Sequence, residues 1–154
     1  MELSNSNKMR DLAEKVCRED GVRLTKNRWN ILTLMLSGKK ALSAYEISDQ
    51  LKDKLNISQP VMSVYRNLDF LEKRRLVHKI SIVNKYTACS HIACKHKHDF
   101  IRIAVCSNCS AVKELLSEKD FKKDLNKNLD EIDFHLESKH LELIGLCSNC
   151  NKNK

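Results

Sequence analysis

The chain has no run of about 18 apolar residues, so no transmembrane helix is expected. Its first ten residues, Met1 to Arg10, are polar and lack the apolar centre of a secretory signal. Both absences point to the cytoplasm, where thiols stay reduced and seven cysteines do not make a disulfide framework. No internal repeat or sustained heptad is found. The HExxH string of zinc hydrolases is missing, as is the HxE with PCxxC of zinc deaminases. No general base is therefore placed beside an open metal position, and no enzymatic activity is expected. With one proline and three glycines the boundaries between elements are few, but each is legible.

A length of 154 residues suits one ordinary domain or two small ones. Lys and Arg number 28 against 20 Asp and Glu, a formal net charge of +8. Such a surplus favours a polyanionic partner through counterion release. A merely soluble basic surface explains it equally well, so charge alone does not decide.

Gly21 closes a first amphipathic helix, about Lys8 to Glu19, with Leu12, Val16 and Cys17 on its apolar side. Thr25 caps a second, whose apolar residues Trp29, Ile31, Leu32, Met35 and Leu36 run to Gly38. Ser43-Ala44-Tyr45-Glu46 is a capping box opening a third, with Ile47 and Leu51 inward. Ser58 is expected to cap a fourth, with Pro60 in its first turn and Val61, Val64, Leu68 and Leu71 on one face. The pattern then alternates through Val77, Lys79, Ile80, Ile82, Tyr86 and Ala88, a hairpin turning near Val83-Asn84-Lys85. Helices followed by a hairpin make a winged helix-turn-helix, whose fourth helix would read the major groove. Cys89 to Asp99 is dense in Cys, His and Lys and reads as a linker ordered by metal or a partner. Beyond it come a strand at Phe100 to Val105, a helix at Ser117 to Asn128 and a strand at Leu141 to Leu146.

Cys106-x-x-Cys109 and Cys147-x-x-Cys150 present four thiolates, the closed tetrahedral donor set of a structural zinc. A redox dithiol is the competing reading, but a thioredoxin-type CxxC would occur once and open a helix. A second cluster comprises His78, Cys89, His91, Cys94, His96, His98 and Glu114, and mixed thiolate and imidazole suits zinc. Taken singly, His78 reads as a surface residue and Glu114 as simple charge; their density in one stretch favours a second site. On the fourth helix Ser58, Gln59, Ser63, Tyr65, Arg66 and Asn67 are candidate DNA contacts. Arg66 can pair bidentately with guanine and Tyr65 can meet a thymine methyl or a phosphate. Lys26, Arg28, Lys73, Arg74 and Arg75 suit phosphates. A solvated helix face is the alternative.

The strings Arg23-Leu24-Thr25 with Arg28, Leu42-Ser43-Ala44-Tyr45-Glu46, and Ser63-Val64-Tyr65-Arg66-Asn67-Leu68-Asp69-Phe70-Leu71 resemble the DNA-binding domain of the ferric-uptake-regulator family. Leu76-Val77-His78-Lys79, and Cys106-x-x-Cys109 through Val112-Lys113-Glu114, resemble its wing and dimerisation domain. The resemblance implies an α+β protein: a winged helix-turn-helix DNA-binding domain at 1–90, a metal-binding hinge at 91–99, and a small α/β dimerisation domain at 100–154. It implies a homodimer that binds AT-rich palindromic operators in double-stranded DNA when metal-loaded, and it adds Arg23, Thr25 and Tyr45 to the DNA contacts. Iron and peroxide sensors of the family carry a histidine between the second and third helices. Here that stretch is Gly38-Lys39-Lys40-Ala41-Leu42. His78 and Cys89 stand where zinc-responsive members place sensor ligands, with Glu114 and His96 or His98 at the remaining positions. The expectation is therefore a zinc-responsive repressor of zinc uptake genes. An iron or peroxide sensor is the alternative, and a zinc store or chaperone would leave the basic helix unexplained. Lys139 stands where many relatives carry a histidine, and His135 and His140 read as surface residues.

Overall fold

A computed structural model describes residues 2–90, 92, 100–116, 119–138 and 140–152. The chain divides into two compact units, Met1–Cys94 and Lys95–Lys154.

The first unit runs α1 (Glu2–Glu19), α2 (Lys26–Ser37), α3 (Ala44–Leu55), α4 (Val61–Lys73), β1 (Val77–Ile80) and β2 (Lys85–Ala88). Helix α1 starts six residues earlier than its apolar stripe implies, because no glycine or proline in 2–7 stops it. It ends at Gly21, whose φ of +68° supports a Schellman closure: Val22 N–H bonds Cys17 C=O and Gly21 N–H bonds Arg18 C=O, both at 3.0 Å. Thr25 caps α2, its side chain accepting from Arg28 N–H. The capping box at α3 forms in full: Glu46 N–H donates to Ser43 Oγ at 3.2 Å and Ser43 N–H to the Glu46 carboxylate at 2.6 Å.

Helix α4 departs from expectation at its start. Ser58 does not cap it; Pro60 is the N-cap and no side chain closes the turn. Instead the Pro60 carbonyl accepts from Ser63 at 2.8 Å and Val64 at 3.1 Å, and Ser48 Oγ donates to the Gln59 carbonyl at 2.7 Å. The ring fixes φ at a helix-compatible value, so the helix begins after Pro60, leaving Ser58 two residues outside it. The unit's core is the inward set of three helices and the hairpin: Ile31, Leu32, Ile47, Leu51, Val64, Leu68, Leu71, Leu76 and Val77 are all fully buried.

The hairpin pairs Val77 with Ala88 and Ile80 with Lys85. Its strands are separated by a single 3-10 turn, Ser81–Val83, and by Asn84 in the left-handed region. Ile82 therefore lies in the turn and is exposed, not on a strand face. A bridge from Leu42 to Tyr86, with reciprocal bonds of 2.9 and 2.7 Å, adds a contact the alternation did not signal.

The second unit runs β3 (Ile101–Cys106), β4 (Val112–Leu116), α5 (Lys119–Asp130), β5 (His140–Gly145) and α6 (Ser148–Lys152). Its sheet has the order β4-β3-β5, antiparallel between β3 and β4 and parallel between β3 and β5. Strand β4 begins three residues after the first CxxC pair, and the short helix α6 begins inside the second and contains Cys150; the cysteine spacing signals neither element. Phe121 of α5 lies 6.4 Å from the Phe100 ring, with the Arg102 guanidinium 4.5 Å over it. Among the described residues no helix is long and apolar enough to cross a membrane.

Candidate metal centres and nucleic-acid face

Because β3 and β5 are parallel and in register from Ile101–His140 to Cys106–Gly145, both CxxC pairs leave the same end of the sheet. The first forms a knuckle: Ser110 N–H returns to Cys106 C=O at 3.0 Å with Ser110 at φ +58°, and Ser107 N–H reaches across to Gly145 C=O at 2.8 Å. The second pair straddles the start of α6. The four ligand sulfur atoms lie within 4.8 Å of one another, with Cys109 and Cys147 Sγ 3.7 Å apart. A tetrahedral zinc with thiolates at about 2.3 Å spaces its sulfurs roughly 3.8 Å apart. The donor set therefore fits zinc with no position left for water. Hydrogen bonds from the Cys109 and Cys147 backbone N–H groups pull the Cys106 thiol down to about 6, towards the thiolate a metal needs. Asn108 Nδ2 lies 3.4 Å from Cys150 Sγ, a supporting contact that spacing alone does not signal.

The hairpin explains a second pairing. Cys89 N–H bonds Leu76 C=O at 2.9 Å, continuing the ladder one step beyond Val77–Ala88. Alternation then puts Cys89 and His78 on one face as diagonal cross-strand neighbours. A His78 ring nitrogen and the Cys89 sulfur lie within 4.8 Å, Cys89 being buried. Glu114 lies in the other unit, at the middle of β4 opposite Ile103. His96, His98, His91 and Cys94 lie outside the described residues.

On α4 the buried Val64, Leu68 and Leu71 leave Met62, Arg66, Asp69 and Lys73 on the exposed side, with Ser63, Tyr65 and Asn67 half-buried between. Tyr45, at the start of α3, is 63% exposed. This is a helix-turn-helix whose outer face carries Arg66 and Lys73 beside Asp69 and Met62, followed by a two-stranded wing.

A model of the ferric uptake regulator family matches residues 19–144. The chain belongs to that family. The zinc uptake regulation protein of Escherichia coli (strain K12) is 34% identical over 152 residues, which cover 97% of this chain and 85% of that protein. A solved zinc uptake regulator complexed with zinc and DNA superposes with a TM-score of 0.79 at 30% identity, covering 96% of both chains. Holo XcZur gives 0.73 at 31% identity over 96% of this chain and 99% of that one.

Within this family member, three of the candidate DNA residues are buried or engaged inside the chain. Gln59 was expected at the DNA, but it is 7% exposed and its carboxamide is shielded inside the α3–α4 turn. Arg28 was expected at DNA too. Its guanidinium instead stacks 3.3 Å from the Phe70 ring centre and donates to Arg23 C=O at 2.9 Å. Arg74, expected on phosphate, covers the same ring at 3.7 Å and donates to Phe70 C=O at 2.9 Å. Burial, and after it the like charge of Arg74, pushes the Arg28 guanidinium below its ordinary value. The shared ring and the carbonyls offset that cost. His140 is likewise not a bare surface residue: its Nε2 meets Glu142 at 2.9 Å, both side chains largely covered.

Proposed function

We propose that this protein is a zinc-responsive DNA-binding repressor of zinc uptake genes, acting in the cytoplasm as a homodimer and by binding, without catalysis. The observation that carries the zinc assignment is the His78–Cys89 pair, held within 4.8 Å by hairpin register. A thiolate beside an imidazole favours zinc over harder cations. In this reading Cys106, Cys109, Cys147 and Cys150 hold a permanent structural zinc. His78 and Cys89, with Glu114 and with His96 or His98, hold a regulatory one.

Zinc supplies a rigid four-coordinate junction when bound. The chain's own residues do the rest. Ligands drawn from both sides of 91–99 restrain that stretch, so fewer arrangements of the two α4 helices in a dimer compete with the one that fits successive major grooves. Arg66, Tyr65, Ser63, Asn67 and Tyr45 contact the bases and the backbone, and Arg23, Thr25, Ser58 and Lys73 position the helix on phosphate. Operator DNA must tighten the regulatory zinc by the same factor that zinc tightens DNA. The homodimer is supported by strand β5, whose outer edge pairs with no other strand among the described residues and which exposes Leu143 and Ile144.

The test is fluorescence anisotropy on an AT-rich palindromic duplex at fixed salt, titrated with buffered zinc and separately with ferrous iron. Binding driven by zinc at low free concentration, and lost in Cys89→Ser, supports the reading. Iron-driven binding, or zinc dependence that survives Cys89→Ser, refutes the regulatory site.

A further inference from the structure

We propose that Met62, on the first turn of α4, reads an operator thymine through its 5-methyl group. The assignment rests on the DNA-binding reading above and names a specificity residue within it.

Met62 is 66% exposed, although it is one of the larger apolar side chains of the unit. At 100° per residue, Met62, Arg66, Asp69 and Lys73 form one stripe, opposite the buried Val64, Leu68 and Leu71. The stripe is therefore the outer surface of the second helix of a helix-turn-helix, and Met62 shares it with Arg66 one turn on. The N-terminal residues of such a helix approach the base edges most closely. The turn that presents this end is held by Pro60 and by Ser48 Oγ on the Gln59 carbonyl at 2.7 Å. Gln59, the residue whose carboxamide could have read adenine, is turned inward. The first exposed side chain within the helix is thus a flexible thioether that cannot donate a hydrogen bond. In the major groove the one apolar feature on a base edge is the thymine methyl. Arg66 supplies a cation on the same stripe, so phosphate or guanine attraction and methyl contact come from one helix face.

The test starts from a random duplex pool, from which zinc-loaded wild-type protein selects its preferred palindrome. Each thymine of that duplex is then replaced by deoxyuridine, which removes only the methyl. One such replacement in each half-site is expected to weaken wild-type binding about 15-fold, the value of two methyl-sized apolar contacts at about fourfold each. Met62→Ala should bind the thymine duplex more weakly by a similar factor and be indifferent to that replacement, while Met62→Leu keeps the preference. If no replacement affects the wild type, or if Met62→Ala retains the full thymine profile, Met62 does not read the methyl, though the DNA-binding reading stands. If the pool yields no preferred sequence, the DNA-binding reading itself fails and this assignment with it. Met62 is exposed, so folding of both variants is checked directly by circular dichroism.

Discussion

Replacing Phe70 with leucine tests whether the two arginines of the winged-helix unit are structural. The ring carries Arg28 on one side at 3.3 Å and Arg74 on another at 3.7 Å. A cation over an aromatic face contributes about 0.5–1 kcal/mol when exposed and about 2 kcal/mol when desolvated. Arg28 is half-buried and Arg74 largely covered, and leucine retains most of the apolar contact, so the loss isolates the ring's electrostatic share: about 1 kcal/mol for each contact and about 2 kcal/mol for the pair. For a unit of this size that lowers the melting temperature by roughly 8–16 °C. Thermal unfolding followed by circular dichroism gives the number, and a cycle with Arg28→Met and Arg74→Met apportions it. Coupling between Phe70 and each arginine should reach about 0.5–1 kcal/mol. A fall of less than about 2 °C, or strict additivity in both cycles, would show that the stack is only proximity and would return both arginines to the DNA.

The same assignment sets a salt test: Arg28→Met should leave the slope of log affinity against log salt unchanged, while Lys73→Ala reduces it by about 1, measured by anisotropy. Ser43→Ala should cost about 1 kcal/mol by chemical denaturation, because it opens the capping box of α3. At Glu46 burial raises the carboxyl pKa, but the Ser43 N–H and Lys85, 3.0 Å away, outweigh it and hold the group below its ordinary value. A depressed carboxyl stabilises above its unfolded value and loses that stabilisation as pH falls through the folded one. The gap between wild type and Glu46→Gln should therefore close below about pH 4 in urea melts; a gap constant down to pH 3 would contradict the linkage. Cys147→Ser should remove one zinc per chain by elemental analysis and abolish amide protection in β3–β5, leaving the α2–α4 core protected. Ile144→Glu should convert the dimer to monomer in sedimentation velocity, and an unchanged dimer would take β5 out of the interface.

Much of the protein was legible along the chain because its information is local. Capping residues are read by the backbone within three positions, so Thr25, Ser43 and Gly21 mark their helix ends wherever the helices pack. A CxxC pair brings its two sulfurs together through one turn, and two pairs of soft ligands identify zinc by donor chemistry before any geometry is known. Helical spacing of Val64, Leu68 and Leu71 likewise names the inward face of α4.

What only the tertiary structure decided are the matters of who faces whom. Gln59 and Ser58 read as neighbours on one approach to DNA, but the α3–α4 turn, closed by Ser48 and ended by Pro60, buries one and leaves the other exposed. Arg28 and Arg74 are 46 positions apart in the chain, and no period in the sequence reveals that one phenylalanine between them collects both. His78 and Cys89 become a pair only through the register of β1 on β2, and four cysteines become one centre only because β5 runs parallel beside β3. Residue type and local spacing determine which chemistry is available; long-range register, set by how the buried faces pack, determines which of those groups meet.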